Sequence, residues 1–139
     1  MLIALAQLNY IVNHFEYNKS KMVNAIEQAK LNGVDLIVFS ELSVCGYPPH
    51  DLLERKEFID KCSLWLGKVA DLTENIAVII GSPSINPNEK GKMLFNSAYF
   101  IYKKKIVSVH HKSLLPTYDV FDEYRYFEPN KDFSVVAFK

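Results

Sequence analysis

The stretch "VDLIVFSELSVCGYPPHDLL" (Val34–Leu53) passes from a run of strand formers straight into an acid, an apolar turn and a Gly-Tyr-Pro-Pro kink. Its first part, Val34–Ser40, predicts a strand buried in a sheet. Just upstream, Glu16–Asn32 has a helical period, with Met22, Ala25, Ile26 and Ala29 on one face and Gly33 as the stop. Ahead of that helix, Leu2–Asn9 is apolar at nearly every position, as expected for a strand buried on both faces. Strand, helix and strand in succession form a βαβ unit, whose strands are parallel and joined by a right-handed crossover.

The pattern continues downstream. Asp51–Thr73 reads as helical overall, with Phe58, Cys62, Trp65, Leu66, Val69 and Leu72 along an apolar face. Ile76–Ser82 predicts a third buried strand ended by Pro83, and Asn86–Lys92 has the composition of a loop. Leu94–Tyr102 and Ile106–His110 predict an antiparallel pair joined by the lysine-rich turn Lys103–Lys105. An irregular segment follows, and then a last short strand, "FSVVAF" (Phe133–Phe138). The fold class is α/β, a layered sheet with strongly apolar strands. Strands apolar on both faces need covering layers. With no capping helix after the last strand, the expectation is a part of a larger fold or a chain that associates through its uncovered surface, as a homo-oligomer.

A chain of 139 residues suits one domain, and 49% hydrophobic with 23% charged residues is a globular composition. Sixteen basic and sixteen acidic residues cancel to a formal charge of zero, which excludes a charge-steered partner such as nucleic acid or an anionic membrane. The N-terminus shows no cationic leader, and its apolar stretch is far below membrane-spanning length. Two cysteines without a secretory signal argue against a disulfide framework, so the expected compartment is the reducing cytoplasm.

Glu41 immediately follows the carboxyl end of a central strand, the end at which ligand crevices open in α/β sheets. It is either a strand-ending acid facing water or a general base held partly desolvated. Lys112 closes the strand that ends at His110–His111 and is either a solvated charge or, if it shares a cleft with Glu41, a group that stabilises an oxyanion. The Gly46–Pro49 turn is stiff and can hold Tyr47 over a pocket. Cys45 lies close to Glu41, but its surroundings are apolar and lack the cation that activates a thiol, so it reads as a packed residue, as does Cys62. His110 and His111 are adjacent on a strand and point to opposite faces, and no metal-ligand spacing occurs elsewhere. Tyr118–Glu128 is dense in acids and aromatics, with Phe121, Tyr124, Tyr126 and Phe127 expected to pack the segment down.

These blocks resemble a known family. "LIVFSELSVCGYPPHDLL" is similar to the first signature of the nitrilase, or carbon–nitrogen hydrolase, superfamily, in which a glutamate after the second strand is the general base. "HHKSLLPTYDVFDEYRYFEP" resembles its second signature, which carries a catalytic lysine. The wording of the second block is narrower and looks like the glutaminase domain of glutamine-dependent NAD(+) synthetases. The resemblance covers essentially the whole chain. It implies the first half of an α-β-β-α sandwich, with residues 1–139 as the N-terminal portion of the domain. It also implies Glu41 as proton acceptor, Lys112 as the lysine of the tetrahedral intermediate and Glu123 as a supporting glutamate. Tyr118 and Tyr47 would be pocket tyrosines that contact glutamine.

The implied chemistry is thiolate attack on the glutamine side-chain amide, ammonia release and thioester hydrolysis. The ammonia would serve amidation of deamido-NAD by a separate synthetase domain that uses ATP and Mg. The family's nucleophilic cysteine follows the next strand, downstream of "FSVVAFK", so the chain is expected to be inactive alone. Pro129–Asn130 stands where the second signature usually ends in Pro-Gly, a mild change because asparagine tolerates a left-handed backbone. The alternatives are a truncated free-standing amidase of the same superfamily and a non-catalytic interaction module.

Overall fold

The computed structural model describes residues Met1–Lys139. Its elements are β1 (Ile3–Ala6), α1 (Phe15–Leu31), β2 (Leu36–Phe39), a 3-10 turn (His50–Glu54), α2 (Lys56–Ala70), β3 (Ala77–Ile85), β4 (Leu94–Tyr102), β5 (Lys105–His111) and α3, a single helical turn (Glu123–Tyr126). The sheet has five strands in the order β1-β2-β3-β4-β5. The first three are parallel, with Ile3 opposite Leu36 and Leu36 opposite Ala77, and β4 and β5 then run antiparallel. This is the βαβ unit the sequence predicts, followed by a second parallel crossover and a hairpin. Lys103 and Lys104 both take positive φ (51° and 60°), the backbone of a tight hairpin turn that matches strand twist.

The two long helices cover one face of the sheet. Met22, Ile26 and Ala29 of α1 meet Phe58, Cys62, Leu66 and Val69 of α2 over Ile37, Phe39, Val78, Ile80 and Ile101. Asn18 is fully buried within α1 and ties the helix to the segment after β1. It accepts from Ile11 N–H at 2.9 Å and donates to the carbonyls of Ile11 (2.9 Å) and Val44 (3.3 Å). Gly33 ends the helix at φ +66°.

Four expectations need correction. The first strand is not buried on both faces: it is an edge strand, and Leu2, Ile3 and Leu5 are exposed while Ala4 and Ala6 face the core. The outer face of the sheet carries no helical layer. Phe138 reaches it, edge-on against Phe100 and Tyr102 at 5.3 and 5.2 Å. Second, β3 does not stop at Pro83 but runs to Ile85 along β4, with Pro83 opposite Asn96. Beyond Ile79 it no longer pairs with β2, so its other side is an edge that tolerates a residue without an N–H. Third, Phe133–Phe138 forms no strand; Phe133 and Val135 are exposed, because no neighbouring strand lies there to pair with it. The expected packing role of Tyr124 also fails, since it is exposed, whereas Phe127 is buried.

Candidate active site

The carboxyl ends of β2, β3 and β5 and the start of β4 converge, and Glu41, Tyr47, Asn96, Lys112 and Glu123 meet there. Glu41 opens the turn after β2. That turn is closed by Gly46 N–H donating to the Leu42 carbonyl at 2.8 Å, and Leu42 is fully buried at φ +47°. A left-handed leucine is strained and persists only where its surroundings dictate it. Here the dictating neighbour is β3. Val44 N–H donates to the Gly81 carbonyl at 3.1 Å, and a Cβ on Gly81 would lie 2.3 Å from Leu42 N and 2.8 Å from Glu41 C. Only glycine lets β3 press this closely against the turn that carries the carboxylate.

Lys112 leaves β5 with its main chain fixed on both sides. Its N–H donates to the Asn96 carbonyl at 2.8 Å, and its carbonyl accepts from Asn130 N–H at 3.0 Å. The ammonium Nζ donates to Glu41 Oε1 at 2.7 Å and to Glu123 Oε2 and Oε1 at 2.8 and 3.0 Å. Glu123 heads α3 and is 5% exposed. The Tyr47 hydroxyl donates to its Oε1 at 2.9 Å. Asn96, on β4 and 4% exposed, completes the cluster: its Nδ2 donates to Glu41 Oε1 and lies 3.4 Å from Glu123 Oε2. The site therefore holds one cation between two carboxylates, and Glu41 Oε2 accepts no hydrogen bond from the protein.

Burial pulls the Lys112 ammonium down, but the hydrogen bonds and charges of Glu123 and Glu41 outweigh it and hold its pKa above lysine's ordinary value. Burial, the hydrogen bond to Glu123 and the adjacent carboxylate charges push the Tyr47 phenol well up, so it stays a donor through the neutral range. The free carboxylate oxygen of Glu41 can accept a proton, and the ammonium of Lys112, held in its charged form beside it, can stabilise developing negative charge.

Glu41, Lys112 and Glu123, separated by up to 82 positions in the sequence, thus meet as one cluster. Tyr47 joins it through Glu123. Tyr118 does not touch it: its exposed ring packs edge-on against Phe121 at 5.6 Å, and Phe121 in turn lies 6.4 Å from Tyr47. Both thiols are fully buried. Cys45 Sγ faces the Leu42 and Gly46 carbonyls at 3.6 Å, and the adjacent Cys62 together with burial pushes its pKa well up, so no thiolate is presented to the site. His111 stacks on Phe95 at 4.1 Å and shares a hydrogen bond with Ser97, while His110 pairs with Ser108. A groove of about 820 Å³ between Asn86–Gly91 and Glu128–Asp132 is lined by Phe95 and Asn130, next to the cluster, but by none of its members. Sequence reasoning missed Asn96 and Gly81. The one available signal for Asn96 was an amide inside the apolar strand "LFNSAYFIY".

Comparison with known proteins identifies the family and the fold. The carbon-nitrogen hydrolase family model matches residues 2–139. A glutamine-dependent NAD(+) synthetase from Synechocystis sp. is 43% identical over 90% of the chain, which spans 23% of that protein. The structure of glutamine-dependent NAD+ synthetase from Acinetobacter baumannii in complex with ADP superposes with a TM-score of 0.83 at 33% identity, over 98% of this chain and 25% of that one. An amidase from Nesterenkonia sp. AN1, whose structure shows acrylamide added at an active site cysteine, shares the fold with a TM-score of 0.75 at 21% identity, over 94% of this chain and 50% of that one. The chain therefore spans about a quarter of the length of the synthetases it matches and half of the amidase. With its strand order, its Glu41–Lys112–Glu123 cluster and a match over nearly its full length, the chain belongs to the carbon–nitrogen hydrolase family.

Proposed function

We propose that this chain supplies the base and the lysine of a glutaminase site in a glutamine-dependent NAD(+) synthetase. The observation that carries the reading is the Lys112 ammonium bridging Glu41 and Glu123 while Glu41 Oε2 stays free to take a proton. Glu41 accepts the proton of a cysteine thiol, and the thiolate attacks the side-chain amide carbon of glutamine. Lys112 holds the oxyanion of the tetrahedral intermediate. Glu41 returns its proton to the departing nitrogen, which leaves as ammonia, and a thioester remains. Glu41 then takes a proton from water, whose oxygen attacks the thioester; glutamate is released and the thiol is restored. Glu123 is the fixed counter-charge that keeps Lys112 in place, and Tyr47 and Tyr118 border the path by which glutamine enters.

Both thiols of this chain are buried, so the nucleophile belongs to another part of the protein, as the active site cysteine of the Nesterenkonia amidase invites. The ammonia serves amidation of deamido-NAD with ATP and Mg at a separate synthetase domain, in a cytoplasmic, homo-oligomeric enzyme. No helix here is long and apolar enough to cross a membrane.

The test is ammonia release from glutamine. The full-length protein is expected to release it, with Glu41→Gln and Lys112→Met each abolishing release, and residues 1–139 alone are expected to release none. Release by this chain alone, lost on Cys45→Ala, would overturn the assignment of the nucleophile. Full-length protein that hydrolyses other small amides but not glutamine would favour a general amidase.

A further inference from the structure

Glu41 is held by two unlike donors on the same oxygen. Lys112 Nζ approaches Oε1 at 2.7 Å, and Asn96 Nδ2 donates to that atom as well. The lysine alone cannot fix the carboxylate. It is a point charge on a flexible stem, and the terminal torsion of a glutamate is broad and nearly two-fold. A carboxylate facing only an ammonium can turn and offer it either oxygen.

Asn96 differs in each respect. It is 4% exposed, it sits inside the β3–β4 ladder opposite Pro83, and its short stem leaves the amide fewer rotamers than a lysine stem leaves an ammonium. Its carbonyl accepts from Lys112 N–H at 2.8 Å, so one residue holds the main chain of the lysine and the side chain of the glutamate together. Its amide also lies 3.4 Å from Glu123 Oε2, the oxygen that accepts from the ammonium at 2.8 Å. A neutral donor fits this place. An arginine or lysine here would cancel the charge that lets Glu41 accept a proton, and an aspartate would repel both carboxylates.

We propose that Asn96 is a positioning residue that locks Glu41 Oε1 so that Oε2 alone faces the reacting atoms. This rests on the glutaminase reading of the site but makes a structural claim separable from it. Asn96 itself touches neither substrate nor nucleophile.

Two measurements test it. In this chain, labelled at side-chain nitrogens, one Asn96 amide proton is expected to resonate downfield and exchange slowly, and Glu41→Gln is expected to return it toward the usual position. In the full-length protein, Asn96→Leu, which keeps the branched shape and removes the donor, is expected to lower glutaminase kcat about 10- to 100-fold with KM within about twofold. Its acidic pH–rate limb is expected to move to higher pH. Asn96→Ser, less disruptive, is expected to give an intermediate loss. An Asn96 amide signal indifferent to Glu41→Gln, an unchanged kcat in folded Asn96→Leu, or a loss confined to KM would each overturn the proposal. A responsive amide signal in a protein without glutaminase activity would leave the positioning role standing and sink the functional reading instead.

Discussion

Replacing Lys112 with methionine tests the electrostatics of the site apart from any catalysis. The side chain loses its charged end and keeps an apolar stem of nearly the same reach, so the packing of the stem survives. What goes is a set of hydrogen bonds of 2.7–3.0 Å to two carboxylates, one of them on a residue only 5% exposed. Removing one partner of a fully buried ion pair costs roughly 3–5 kcal/mol, because the other charge is stranded. Lys112 and Glu41 side chains are 31% and 40% exposed, so water relieves part of this, and Tyr47 still donates to Glu123 at 2.9 Å. The expected loss is about 2–3 kcal/mol by urea unfolding, or a fall of about 8 °C in melting temperature for a chain of this size.

If the stranded Glu123 carboxylate is the cause, Lys112→Met/Glu123→Gln will recover at least half of that loss, a coupling of about 1–2 kcal/mol. The pH dependence has a fixed sign. The Lys112 pKa is raised on folding, so the difference between wild type and Lys112→Met holds from neutral pH up to lysine's ordinary 10.5 and shrinks as pH climbs through the raised value. A Lys112→Met protein within about 0.5 kcal/mol of wild type, or additive losses in the double variant, would refute the argument.

Three further outcomes follow from neighbouring contacts. Tyr47→Phe deletes a donor to a buried carboxylate and is expected to cost about 1–2 kcal/mol by thermal unfolding; spectrophotometric titration should show four tyrosines, Tyr10, Tyr47, Tyr99 and Tyr126, ionising above the ordinary range, and one fewer in Tyr47→Phe. Gly81→Ala places a Cβ against main-chain atoms of Glu41 and Leu42 that cannot move aside, so a loss of about 3 kcal/mol or more, or a chain that does not fold, is expected from expression and circular dichroism. Asn18→Ala strands the Ile11 and Val44 main-chain groups, with an expected loss of about 2–3 kcal/mol in urea.

The strands, the crossover helix and the hairpin were readable because each carries its period locally: apolar runs in β2 and β3, a 3.6-residue repeat in α1, a lysine pair in the turn. What could not be read depended on neighbours. Leu2, Ile3 and Leu5 look like a buried strand, but β1 has a partner on one side only, and no helix covers its outer face. Pro83 resembles a strand end, but the ladder it would break is β2's, which has already stopped. Phe133–Phe138 has the composition of a strand and nothing to pair with.

The same division runs through the site. Glu41 and Lys112 were visible because charge at the end of an apolar strand is conspicuous in any sequence. Asn96 and Gly81 act through what faces them: an amide that meets two carboxylates, and a missing Cβ where two main chains touch. Their roles exist only once β3 and β4 are in register, since the pairing of Pro83 with Asn96 and of Gly81 with Ala98 fixes both against the Glu41 turn. A one-residue slip of that register would turn the Asn96 side chain to the other face of the sheet. The antiparallel hairpin, which looks like a mere extension of a parallel sheet, is therefore the element on which the geometry of the base depends.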